Sequence, residues 1–214
     1  MTALAPVLDR LGGRRGLIDG AVPPLVFVAA NAVAGLAGLQ DRAVLVASGA
    51  AVATAAGLGG LRVVEGRSVA GVLRGLAGLV VAVAVVLWTG QARDFFLPGI
   101  YVDAFYAVAL AGSALVGHPA VGHAYAALFG VGSSWRADRR LRRVMAMATW
   151  GWALVYGVRV AVQLALYRID EPELLALAKL ALGWPLTAVA VLLTMRAARR
   201  VRADHGRSPT LGAR

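Results

Sequence analysis

The chain has no cysteine. That excludes disulfides, thiolate zinc sites, iron–sulfur clusters and cysteine nucleophiles, and it leaves the redox compartment unread. Charge is scarce as well. Charged residues make up 15% of the 214 positions, where a soluble domain carries about a quarter. Lysine is nearly missing, with Lys179 the single example. No HExxH, GxSxG, paired intramembrane aspartates or DDxxD-like motif occurs, so the sequence predicts no enzyme and calls for no cofactor.

What the chain has instead is apolar length. Hydrophobic residues make up 59% of it, and the mean hydropathy is +0.72. Such a composition belongs to a polytopic membrane protein. Six apolar runs are long enough to cross roughly 30 Å of hydrocarbon. They cover about 21–39, 43–63, 68–88, 96–116, 144–167 and 174–195, and are called spans 1 to 6. Backbone groups in lipid must be paired internally, and the residues do not alternate as barrel strands do, so the runs predict helices. The expected fold class is all-α, a bundle of six transmembrane helices. Three segments follow: a cytoplasmic N-terminal part at 1–20, the six-span domain at 21–195 and a basic cytoplasmic tail at 196–214. The first apolar run is longer than a signal-peptide core and more spans follow it, so it reads as an uncleaved helix.

Basic residues set the orientation. Taken on alternate loops, 17 lie on one side and four, Arg42, Arg93, Arg168 and Lys179, on the other; Arg159 falls within span 5. That asymmetry predicts both termini on the cytoplasmic side of the cell membrane. It also accounts for the net charge of +11 as arginine beside anionic lipid at the cytoplasmic face, not as a nucleic-acid surface. The partners expected are the bilayer and other envelope membrane proteins; the sequence sets no oligomeric state.

The segment 118–131 is too short to span. It reads either as an interfacial helix or as an extension of span 4. His118 and His123 stand in it with no carboxylate beside them, which argues against a metal site. Small residues four apart, at Gly71 and Gly75, Ala109 and Ser113, and Ala153 and Gly157, suit close helix contacts. Spans 1 and 4, and spans 3 and 6, align weakly, with Arg74 over Lys179. Two inverted three-helix repeats account for this, as in transporters; so does chance among helices drawn from few residue types.

Ionisable residues inside spans are costly, about 2.5–3.5 kcal/mol at the centre, and so mark candidate sites. Asp103 in span 4 and Arg159 in span 5 lie at matching depth, about 10–12 Å below the outer boundary at helical rise. Trp152, Tyr156, Arg159 and Gln163 share one stripe of span 5, and Asp103 and Tyr106 share one of span 4. Lys179 and the mid-span Asn31 complete a candidate substrate pocket of Asp103, Arg159, Gln163, Tyr106, Tyr156, Asn31 and Lys179. The competing reading is an ion pair that only pins two helices. Asp19, Pro23 and Pro24 predict a distorted first turn of span 1.

The stretches Gly12–Gly20, Pro23-Pro24-Leu25-Val26-Phe27, Thr89-Gly90, Asp94-Phe95-Phe96-Leu97-Pro98-Gly99 and Thr149-Trp150-Gly151-Trp152-Ala153, with Arg159 and Gln163–Tyr167, carry a likeness. Through them the chain resembles an actinobacterial membrane family, domain of unknown function family 3159. More distantly it is similar to the intracellular septation protein A superfamily, through Pro24-Leu25-Val26-Phe27 and the Trp-rich span 5. That resemblance implies a non-enzymatic role in envelope maintenance or septation. The polar stripes suit a second reading, a small transporter or lipid-handling protein.

Overall fold

The computed structural model describes residues 13–66, 69–130, 132 and 134–206. Among them all regular structure is helical. Seven α-helices follow in order: α1 Gly13–Leu36, α2 Ala43–Val64, α3 Val69–Thr89, α4 Leu97–Leu115, α5 Ala120–Phe129, α6 Arg139–Arg168 and α7 Pro172–Gly206. Short 3-10 turns cover Gln40–Arg42, Ala92–Phe96 and Ser134–Arg136.

A helix stands at each of the six apolar runs. Among the described residues four segments are long and apolar enough to cross a membrane: Gln40–Val64, Ala92–Leu115, Arg139–Arg168 and Pro172–Val201. The protein is therefore a membrane protein. Ala21–Leu36, Leu76–Thr89 and Ala120–Phe129 are shorter apolar helices.

The helices overrun the hydropathy boundaries where the chain turns polar. α1 begins at Gly13, so Pro23 and Pro24 lie inside the helix rather than in its first turn. Neither proline has an N–H to give the carbonyls of Asp19 and Gly20. α6 begins at Arg139 and takes in arginines that hydropathy assigns to a loop. Asp138 makes that early start possible. Its Oδ1 accepts from the amides of Arg140 and Leu141 at 2.8 and 3.2 Å, as an N-cap does. The segment after α4 forms a separate helix, α5. It ends at Gly130, whose φ of +64° suits a residue without Cβ and lets its amide return to the Ala126 carbonyl. α7 continues the basic tail as helix to Gly206. The tail beyond it, with Arg207 and Arg214, lies outside the described residues, as do Arg10 and Arg67.

The chain divides into two compact units. The first comprises residues 1–101 and 163–180. Its core packs Phe27, Phe95 and Phe96 with Ala47, Ala51, Ala82, Val86 and Leu175. Phe27 stacks on Phe95 with ring centroids 4.1 Å apart, and Phe96 meets Phe95 edge-on. The small residues that admit close packing are Ala43, Ala47 and Ala51, one buried stripe of α2. The second unit comprises residues 102–162 and 181–214. In it Gly157, half of an expected small-residue pair, has no neighbour within 4 Å of where a Cβ would stand. That position is open, not a seam. One cluster of this unit joins Tyr125, Trp135, Leu141, Met145, Ala198 and Val201.

Candidate functional site

The site lies beside a proline in α7. Pro185 lies within that helix and has no N–H for the Ala181 carbonyl. Backbone freed in this way inside lipid needs other donors. Arg159 of α6 does not donate to that carbonyl but to the two that follow it. Its Nε donates to the Leu182 carbonyl at 2.8 Å, and Nη2 donates to the Gly183 carbonyl at 2.6 Å. Nη2 also donates to Thr187 Oγ1, and that hydroxyl donates back to the Gly183 carbonyl. Hydrogen bonds to a charged group contribute about 1.5–3 kcal/mol each.

The remaining edge of the guanidinium faces α4. Nη1 lies 3.9 Å from Asp103 Oδ1, an ion pair too long to be a hydrogen bond. Arg159 is buried, so the carboxylate lowers the cost of holding its charge away from water. Tyr156 lies one turn away, with Arg159 Cζ 5.1 Å above its ring. Tyr106 stacks on Tyr156 with centroids 5.2 Å apart. Another turn along α6, Trp152 Nε1 donates to Thr194 Oγ1 at 3.2 Å.

Four of the expected site residues, Asp103, Tyr106, Tyr156 and Arg159, therefore meet in the second unit. The other three belong to the first. Gln163 is fully buried there, and Asn31 is half-buried on α1. Lys179 Nζ lies 5.6 Å from the Phe96 ring centroid and against Gly99, where a Cβ would collide with it.

The described arrangement joins three helices. Its donors, acceptors and rings can anchor helices and hold a buried positive charge. His118 and His123 turn their Nδ1 atoms to the carbonyls of Val116 and Pro119. Among the described residues no three His, Asp or Glu side chains gather as metal ligands.

The chain belongs to the family described as Protein of unknown function (DUF3159). The match covers residues 11–205, and so every residue of the site. No curated protein and no solved structure matches the chain.

Within the family region the structure adds partners that hydropathy does not reveal. Thr187 and Thr194 complete the α6–α7 contacts. In the first unit, Asp94 is buried and accepts from the Tyr167 hydroxyl. Arg93 Cζ lies 4.9 Å over the Tyr167 ring, and its Nε is 3.6 Å from Asp170. Asp170 has a φ of +59°, a conformation that aspartate tolerates better than most residues.

Proposed function

We propose that this chain is a six-span protein of the bacterial cytoplasmic membrane, with both termini inside and a non-enzymatic role in envelope maintenance or septation. It works by holding partner membrane proteins, with anionic lipid at its cytoplasmic face. The alternation of arginine-rich and arginine-poor loops supports the orientation. The resemblance to actinobacterial and septation-type membrane proteins supports the role, and an actinobacterial source agrees with the near-exclusive use of arginine over lysine.

The observation that carries this reading is the engagement of Arg159. Its Nε and Nη2 are spent on the backbone and Thr187 of α7, so the charge is used to hold helices together. A substrate site needs donors that a ligand can take over. The test is a deletion strain complemented with wild type or with Asp103→Asn. Cells without the protein should show altered division length or envelope sensitivity, and both genes should restore them. Normal envelopes combined with lost uptake of a solute would overturn the proposal.

The second reading is a small transporter or lipid-handling protein. It is favoured by Tyr106, which is 46% exposed beside the ion pair. Inverted repeats between spans 1–3 and 4–6 belong to it. In that case Asp103→Asn fails to complement although the protein accumulates normally.

A further inference from the structure

α6 starts with a pattern that α7 repeats six residues before its end. Arg139, Arg142 and Arg143 stand at i, i+3 and i+4, and so do Arg196, Arg199 and Arg200. That spacing puts each triplet on one helix face. All six side chains are exposed. Leu141 and Met145 of α6 pack with Ala198 and Val201 of α7 in one buried cluster, so the triplets flank a shared apolar core at one end of the second unit.

The charge here is unbalanced. Residues 132–143 and 196–206 hold nine arginines against two acids, Asp204 and Asp138. The Asp138 carboxylate caps the amides of Arg140 and Leu141. The α6 triplet also opposes the helix dipole, whose positive end it occupies. Each such charge costs about 0.3–1 kcal/mol at an exposed site. An anion at this place offsets both the mutual repulsion and the dipole term.

The neighbouring helix shows where that anion comes from. α5 has ten residues and is about 15 Å long at helical rise, too short to cross a membrane. One side of it is anchored: Tyr125 is in the shared cluster, and Trp135 lies on Gly122 so closely that a Cβ there would strike the indole. In its last turn Leu128 and Phe129 are 48% and 44% exposed. Apolar side chains presented outward beside a basic surface fit acyl chains next to phosphates.

We infer that the two arginine triplets form a binding platform for anionic glycerophospholipid, whose phosphodiester the guanidinium forks grip while its acyl chains lie against α5. Guanidinium is suited to this because its planar fork meets two phosphate oxygens at once. The inference rests on the anionic-lipid reading above and sharpens it to six residues.

Full-length protein in nanodiscs of mixed phosphatidylcholine and phosphatidylglycerol is released into native mass spectrometry. The wild type should retain phosphatidylglycerol in several-fold excess over phosphatidylcholine. Replacing one triplet with glutamine should reduce that excess, and replacing both should abolish it. Equal retention of the two lipids by the wild type, or an undiminished excess in the six-fold variant, overturns the platform. Inorganic phosphate, added to protein held in phosphatidylcholine alone, should not bind; binding there would make this a soluble-anion site and also overturn it. If the six-fold variant does not fold, the wild type decides, because raising salt from about 0.1 M to 1 M shortens the screening length from about 10 to 3 Å and should strip the lipid. Both leaflets of the disc have one composition, so the result is independent of orientation and of any role in septation.

Discussion

Arg159 Nη1 stands 3.9 Å from Asp103 Oδ1, while the rest of the same guanidinium is hydrogen-bonded to α7. The two ends of this contact are therefore unequal. The carboxylate supplies charge balance, and the arginine supplies the bonds that tie α6 to α7.

That inequality predicts unequal mutants. Arg159→Gln removes three charge-assisted hydrogen bonds and should cost about 2–3 kcal/mol, while Asp103→Asn should cost about 1 kcal/mol. Arg159→Lys should recover little, because an ammonium lacks the fork that spans adjacent carbonyls. The double change should cost less than the sum of the two, since it leaves no lone charge. Denaturant unfolding of the purified protein in detergent measures all four. Equal losses for the two single changes would show that the ion pair, not the bonding to α7, is the main interaction.

A second contact is open to the same treatment. The Tyr167 hydroxyl donates to the buried Asp94 carboxylate. Tyr167→Phe keeps the ring beneath Arg93 and removes only that bond. It should destabilise by about 1–3 kcal/mol, the cost of leaving a buried acceptor unpaired. Asp94→Asn keeps an acceptor and should cost less. Thermal unfolding followed by tryptophan fluorescence reports both, and an unchanged midpoint for Tyr167→Phe would exclude a stabilising bond.

Two glycines have crowded surroundings but should respond differently. At Gly122 a Cβ meets the Trp135 indole, which is buried and has nowhere to move. Gly122→Ala should cost about 1–3 kcal/mol, as overpacking does, and Trp135→Leu in the same chain should relieve part of it. At Gly99 a Cβ meets only the tip of Lys179, a flexible side chain that can swing aside. Gly99→Ala should stay within about 0.5 kcal/mol of wild type, as a substitution outside a rigid contact does. Reversal of this order in detergent unfolding would contradict the packing described here.

Much of this fold could be read from the sequence, because apolar length is a one-dimensional signal. The positions of all six long helices followed from it, and so did the stripe that carries Trp152, Tyr156 and Arg159. Helix ends did not follow. Hydropathy stops where lipid stops, but backbone hydrogen bonding continues, so α6 reaches back to Arg139 and α7 runs on to Gly206. The partners of Arg159 were not legible either. Which carbonyls an interrupted helix offers, and to which neighbour, depends on how the helices pack. Asp94 and Tyr167 are 73 residues apart, and no local pattern pairs them.

The number of crossings gives the last prediction, and the absence of cysteine makes it easy to test. Single cysteines can be placed at Gln40, Glu65, Ala137 and Ile169, all exposed and all between helices. If six helices cross, Glu65 shares a side with Ala137, and Gln40 shares the other with Ile169. If only the four longest segments cross, the partners exchange, and Gln40 goes with Ala137 while Glu65 goes with Ile169. We expect the first pattern, because the second puts Arg62 and Arg67 on the same side as Arg93 and Arg168 and weakens the charge asymmetry that orients such proteins from 17 against four to 15 against six. A membrane-impermeant maleimide applied to intact cells, then to lysed cells, reads the difference. Labelling of Gln40→Cys and Ile169→Cys before lysis, with Glu65→Cys and Ala137→Cys labelled only after it, is the six-span result with both termini inside. Labelling of Glu65→Cys together with Ile169→Cys before lysis would leave α1 and α3 on the membrane rather than through it.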